Sequence, residues 1–197
     1  MSRFFDIVEE KVLHSGFFNL LRLRVRHELF GGGVSPVLSR EFYQRSNGVA
    51  VVLYDPERDA VVLLEQFRVG ALKSGGNPWL LEIVAGGIED GESIEEVAMR
   101  ESREEAGCFI RKLIRIGRFY TSPGGSSEQI TLFCGLIDSR GVGGVHGLAE
   151  EHEDIKVSVI GFAEAMALID QGSIDSAIPI LGLQWLALNR ESVQFAE

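Results

Sequence analysis

The sequence predicts an α+β fold, a mixed β-sheet sandwiched between helices with an N-terminal β-hairpin extension. Three observations carry that reading. Apolar runs of strand length, alternating or continuous, recur from residue 17 to residue 160. A single capped, acidic helix interrupts them near Ser93. Two apolar helical segments follow the last strand and close the chain.

Leu21, Leu23 and Val25 alternate with Arg22, Arg24 and Arg26, so residues 17–30 read as a half-buried strand. Gly31, Gly32 and Gly33 make a turn, and residues 39–46 return as a second strand. This hairpin has too few apolar positions to form a core alone. The division expected is an extension over 1–46 and a main domain over 47–197. The first dozen residues show no deciding pattern. Strands follow at 48–54 and 60–67, joined by an Asp55-Pro56 turn. Residues 70–78 read as a loop and 79–84 as a short strand. After the acidic helix come strands at 113–120 and 129–137, a glycine-rich loop at 139–153, and a last strand at 155–160. Helices are expected at 162–171 and 177–190, with Pro179 in the first turn of the second. No internal repeat is present.

Apolar residues make up 45% of the 197, enough for a sizeable core, and the net charge is −10. So acidic a chain lacks the clustered Lys and Arg that sequence-independent nucleic-acid binding needs. Anionic nucleotides stay open as ligands, because a bound metal reverses the local sign of a site. Cys108 and Cys134 lie in apolar segments without CxxC spacing and read as buried, reduced thiols. That fits a cytoplasmic protein. The N-terminus carries early acids and no continuous apolar stretch, and no run reaches transmembrane length, so no membrane partner is expected.

The most informative segment runs from Gly86 to Cys108. Ser93 with Glu96 three residues on is a capping box that starts a helix, and Gly107 suits its C-terminal end near Ala106. Ile94, Val97, Ala98 and Ser102 form the buried stripe. Glu101 and Glu105, four apart, stack on one face, Glu104 neighbours Glu101, and Arg100 can pair with Glu104. Stacked carboxylates repel, and acids near a helix C-terminus are disfavoured further. A solvated acidic face is the plain reading of such a helix. A hard cation such as Mg²⁺ or Mn²⁺, bound by oxygen ligands, is the other.

The residues alone leave both open, and a resemblance of the whole pattern bears on the choice. Gly86, Glu92, Arg100, Glu101, Glu104, Glu105 and Gly107 stand as in G-x5-E-x7-R-E-U-x-E-E-x-G-U, where U is a bulky apolar residue. This resembles the Nudix box at every fixed position. The two U positions depart, holding Ser102 and Cys108, which bears on packing rather than chemistry. The resemblance extends along the chain from about Gly16 to Leu188. Residues 122–128, SPGGSSE, look like a segment of bacterial ADP-ribose pyrophosphatases, and residues 146–155 like their acidic loop. Gly16-Phe17-Phe18 and Gln184-Trp185-Leu186 are also similar to that group.

What the resemblance implies is a Nudix fold and hydrolysis of ADP-ribose to AMP and ribose 5-phosphate, with Mg²⁺ or Mn²⁺ as cofactor. Glu101, Glu105 and Glu153, with the Ala85 carbonyl, would hold the metal, and Glu151 would be the general base. Arg68, Gly87, Ser122, Pro123, Gly124 and Glu128 would hold the diphosphate and terminal ribose. Phe17, Phe18, Arg40 and Glu41 would hold the adenine end. The group's N-terminal hairpin crosses to a partner subunit, which implies a homodimer. From the residues alone, Phe17 and Phe18 also suit a core, Arg68 a solvent-facing strand position, and Glu151 a solvated acidic loop. His146 and His152 read as loop residues without a catalytic role. The rival substrates are GDP-mannose and other nucleotide sugars. A non-catalytic ADP-ribose sensor is the rival class, although Glu101, Glu104 and Glu105 are all kept. The glycines at 141–147 follow neither dinucleotide-binding nor P-loop spacing.

Overall fold

A computed structural model of the chain describes residues 3–73 and 75–194. It divides into two compact units, one formed by residues up to Asn47 together with Phe119–Gln129, the other by Gly48–Arg118 and the residues from Ile130 onward.

The first unit is a three-stranded antiparallel sheet of β1 (Phe5–Ser15), β2 (Asn19–His27) and β3 (Leu38–Gln44), in that order. The expected hairpin is β2 with β3, aligned Leu21 to Phe42 and Leu23 to Arg40. Gly32 and Gly33, at φ +91° and +81°, make the turn region between them. The strand expected over residues 17–30 forms over Asn19–His27. The strand is shorter because residues 16–18 turn the chain back from β1. That first strand had no legible pattern for a reason: its register slips between Ile7 and Glu9 and between Val12 and His14, which breaks a period of two. Arg26 with Asp6, Arg24 with Glu9 and Arg22 with Glu41 lace the sheet at 2.9, 3.2 and 2.7 Å. All are half-exposed pairs and contribute little stability. Of the described residues in this unit, Leu21 and Ser35 alone are buried.

The second unit is built on a mixed sheet. Its elements in chain order are β4 (Gly48–Asp55), β5 (Ala60–Phe67), β6 (Trp79–Glu82), β7 (Val84–Gly87), α1 (Ile94–Glu104), β8 (Lys112–Tyr120), β9 (Gln129–Leu136), β10 (Gly144–His146), β11 (Ile155–Gly161), α2 (Phe162–Asp170) and α3 (Ala177–Gln194). The sheet order is β10-β11-β5-β4-β9-β8, with β6 on β5 and β7 on β4. Strand β4 runs parallel to β9 and antiparallel to β5. Every residue of β4 is buried, because both its faces are covered. Val49, Val51 and Leu53 join Val97 and Ala98 of α1 in one core cluster. Val52, on the opposite face, meets α3 at Gly182, where a Cβ would come 3.4 Å from the Val52 Cβ. The layering of helix, sheet and helix expected from the sequence is thus present. A hydrogen-bonded lock holds α3: Gln194 donates to the Tyr54 hydroxyl, which donates to Asp59, and Arg190 pairs with Asp59.

Three loop and strand expectations change in detail. The strand expected at 79–84 splits at Ile83 into β6 and β7. Beyond the Tyr54–Val61 and Asp55–Ala60 pairs, β4 and β5 take different partners: β6 aligns Leu80 with Gln66, and β7 aligns Ala85 with Ala50. The 70–78 loop begins with a 3₁₀ turn, Val69–Lys73. The 139–153 loop holds β10 and a second 3₁₀ turn, Ala149–Glu151, each too short to leave a periodic pattern. No described helix is long and apolar enough to cross a membrane.

Candidate active site

The capping box forms as expected. Ser93 Oγ accepts from the Glu96 amide at 3.3 Å, and the Glu96 carboxylate accepts from the Ser93 amide at 2.8 Å. At the other end Gly107, at φ +63°, turns the chain, and the Cys108 amide donates to the Ser102 carbonyl at 2.8 Å. The two small residues at the bulky positions of the box are both buried. Ser102 satisfies its hydroxyl within the helix, donating to the Ala98 carbonyl at 2.7 Å.

Arg100 organises the acids around it. Its guanidinium grips Glu92 through two bonds of 2.8 and 2.9 Å, and reaches Glu101 at 2.7 Å, Glu104 at 3.1 Å and the Gly87 carbonyl at 3.2 Å. These contacts fix the fork of the side chain and raise its already high pKa further, Glu92 contributing most. Glu92 in turn accepts from the Glu89 amide at 3.1 Å, which shapes the loop between β7 and α1.

Glu105 is 3% exposed. One of its oxygens accepts from the Ala85 amide at 2.9 Å, tying the end of the helix to β7. Burial pushes its pKa from the ordinary 4.5 up to about 8. Glu101 and Glu153 raise it further, while the Ala85 bond and the Arg68 charge oppose. Glu101 is also raised, first by burial, against the pull of Arg100. Arg68 itself is paired with Glu82 at 2.8 Å. The second unit therefore brings Glu101, Glu105 and Glu153 into one electrostatic group beside Arg68, with more negative than positive charge. Among the described residues, no three acid, His or Cys groups already form a closed cage.

Gly86 has a reason visible only in three dimensions. A Cβ there would lie 1.8 Å from Glu101 Oε1. The carboxylate occupies the space that any side chain would need, and it is the movable partner. Gly86→Ala is expected to keep the fold and displace Glu101, lowering kcat by about 10²-fold. Circular dichroism checks the first outcome and steady-state kinetics the second.

Glu151 ends the exposed 3₁₀ turn, its amide bonded to the Leu148 carbonyl at 3.1 Å. Glu153 is held differently, accepting from the Leu148 amide at 3.1 Å.

The remaining expected residues lie in the first unit. Residues 122–127 form a tight turn, with the Gly125 and Ser126 amides on the Ser122 carbonyl at 3.0 and 2.8 Å. It is stitched to β3 through Tyr43 and Gly125 at 2.8 Å, and through Ser127 and Tyr43 at 3.0 Å. Pro123 and Gly124 sit at its exposed tip. Glu128 pairs with Arg45 at 3.2 Å and accepts from the Thr121 hydroxyl at 2.9 Å. Phe17 is 96% exposed, so it is not a core residue. Its ring packs edge-on to Phe18, and Phe18 meets Tyr43 and the Arg45 guanidinium, the latter 4.9 Å from the ring centroid. Glu41 is taken by Arg22, and Arg40 donates to the Ser39 carbonyl. Sequence reading missed Arg45 and Tyr43. Neither carries a motif, and both find partners far along the chain: Arg45 meets Phe18 and Glu128, and Tyr43 meets Phe18 and Gly125.

Residues 44–177 match the NUDIX domain. The chain is 46% identical over 192 residues to the ADP-ribose pyrophosphatase of Haemophilus influenzae, covering 96% of this chain and 88% of that one. It is 37% identical over 191 residues to the GDP-mannose pyrophosphatase of Cronobacter sakazakii, covering 95% and 97%. A crystal structure of an ADP compounds hydrolase shares the fold at 20% identity, with a TM-score of 0.72 over 98% of this chain and 97% of that one. With all fixed box residues in place and the match spanning most of its length, the chain belongs to the NUDIX family.

Proposed function

We propose that the protein hydrolyses the pyrophosphate bond of ADP-ribose to AMP and ribose 5-phosphate, using Mg²⁺, with Mn²⁺ as a substitute. The observation that carries this is the carboxylate pair of half-buried Glu101 and buried Glu105, organised by Arg100 and beside Glu153. ADP-ribose is favoured over GDP-mannose by the 46% against 37% identity to the respective relatives. The family generally uses divalent metal ions. The donor set fits one: hard carboxylate oxygens, one of them on the buried Glu105, whose pKa is raised to about 8 and which a bound cation would hold ionised. Glu101, Glu105, Glu153 and the Ala85 carbonyl would hold the ion. When bound, it supplies Lewis-acid polarisation of the phosphates and lowers the pKa of a water molecule.

The chain's own residues do the rest. Arg100 keeps Glu101 and Glu104 oriented. Arg68 offers a cation to the diphosphate, and Gly87, Ser122, Pro123, Gly124 and Glu128 position the phosphates and terminal ribose. Phe17 and Phe18 offer ring faces to adenine, with Arg40 and Glu41 beside them in chemistry. Glu151, exposed on its turn, takes the proton from the attacking water. No covalent nucleophile is required.

We also propose a homodimer. Phe5, Ile7 and Val12 of β1 and Phe30 in the turn after β2 are exposed at 74%, 50%, 55% and 92%, large apolar side chains that an interface would cover. A two-fold partner would cover them with the same surface. Deleting the residues before Gly48 is expected to give inactive monomers or aggregates by light scattering. A fully active monomeric truncation would refute the assembly.

The reading is tested by a substrate panel with Mg²⁺, comparing ADP-ribose, GDP-mannose, NADH and diadenosine polyphosphates. The highest kcat/KM is expected for ADP-ribose. A preference for GDP-mannose would overturn the substrate assignment and leave the pyrophosphatase chemistry.

A further inference from the structure

The loop that carries Glu151 is not free at its base. Two contacts bind it to the end of α1, and a third holds the side chain that makes one of them. The Gly147 amide donates to the Glu104 carbonyl at 3.2 Å, filling an acceptor that the helix end leaves open. The His146 ring lies against Gly107, so close that a Cβ on that glycine would stand 2.6 Å from the ring's Cε1. His146 Nε2 donates to the Gly143 carbonyl at 3.0 Å, which holds the ring in that pose. Past this point the loop bonds to itself: the Glu151 and Glu153 amides donate to the Leu148 carbonyl at 3.1 and 3.2 Å, and the Leu148 amide to Glu153. Gly147 sits at φ +102°, and a Cβ there would collide with the Glu153 Cβ at 2.6 Å. The chain is therefore pinned at 146–147 and continues as one compact, internally bonded piece through Glu153.

We infer that His146 is a positioning residue for the reaction, clamping the base of the Glu151 loop onto the C-terminal end of α1, with Gly107 as its socket and Gly147 as its pivot. The inference rests on the proposed base role of Glu151. The helix end that bears Glu101 and Glu105 and the loop that bears Glu151 and Glu153 then share one mechanical joint. The last glycine of the box gains a second purpose beside its positive φ: it leaves room for the imidazole. Glu151 reaches its place through this joint, because its own side chain makes no hydrogen bond or ion pair among the described contacts.

The test compares His146→Ala with His146→Gln in the full chain. His146→Ala is expected to lower kcat for ADP-ribose by about 10–100-fold, with KM little changed. His146→Gln, whose amide can donate to Gly143, is expected to recover most of that loss. Hydrogen exchange without substrate should show residues 147–153 exchanging faster in His146→Ala, with α1 still protected. Gly107→Ala should mimic the kcat loss. In a His146→Ala background it should cost distinctly less, since the socket is already empty. Wild-type kcat in His146→Ala, or unchanged exchange at 147–153, overturns the inference. Strictly additive effects of the two substitutions overturn it as well. Exchange is read on the protein alone, so a wild type that fails to cleave ADP-ribose would overturn the proposed function and not the clamp.

Discussion

Glu105→Gln is expected to remove most of the activity while leaving the fold intact, a loss of roughly 10²–10⁴-fold in kcat. The glutamine keeps an oxygen to accept from the Ala85 amide, so the link from α1 to β7 survives. What it loses is the charge. The same substitution has an opposite effect on stability, and the sign follows from burial. An unfolded Glu105 ionises near 4.5, the folded one near 8. Below about 4.5 both states are protonated and this group's favourable contribution is complete. Between those values the folded state binds the extra proton, so stability falls as pH rises and has been lost above about 8. In chelator at pH 8 the variant should therefore be more stable than wild type, by roughly 1–3 kcal/mol, with a flatter pH profile. Thermal melts from pH 5 to pH 8 check this. A variant with a near wild-type rate at saturating Mg²⁺ would sink the metal assignment. An unchanged melt profile would sink the account of burial.

Glu151→Gln is expected to lower kcat by about 10²–10⁴-fold, the range for loss of a general base. KM for ADP-ribose should change little, because the carboxylate does not hold the substrate. Glu153→Gln should instead raise the Mg²⁺ requirement, since its proposed role is ligation. Its side chain also accepts from the Leu148 amide, and the amide of glutamine keeps an oxygen for that bond. The two variants separate base from ligand. If Glu151→Gln keeps kcat while Glu153→Gln loses it without any metal effect, the roles are reversed. If both behave as wild type, the base lies elsewhere, with Glu104 and Glu128 next in line.

The parts of the site legible in sequence are those whose chemistry is local. The box spans one turn and one helix, so spacing alone stacks Glu101 under Glu105 and puts Glu96 back on Ser93. Arg100 illustrates the boundary. Its pairing with Glu104 follows from helical spacing, but its two-pronged grip on Glu92 needs the loop to fold back across eight residues. Gly86 could be recognised as a fixed position, while the reason for it, the space taken by Glu101, belongs to the packing of β7 on α1. Nothing in the order of residues announces that His146 fills the hollow at Gly107, some forty positions away. Among the strands, β4 and β5 were legible because continuous apolar runs bury both faces. Strand β1 was not, because bulges and charged residues hide its period. The division of 79–84 into β6 and β7 depends on which neighbour each half finds, a choice made only when the sheet assembles.

The most direct test of the central claim is a single incubation of purified protein with ADP-ribose, with and without a divalent cation. The account predicts AMP and ribose 5-phosphate in equal amounts with Mg²⁺, no products in excess chelator, and product formation by Glu105→Gln with Mg²⁺ slowed by roughly 10²-fold or more. Turnover that persists in chelator, or full turnover by Glu105→Gln, would contradict it.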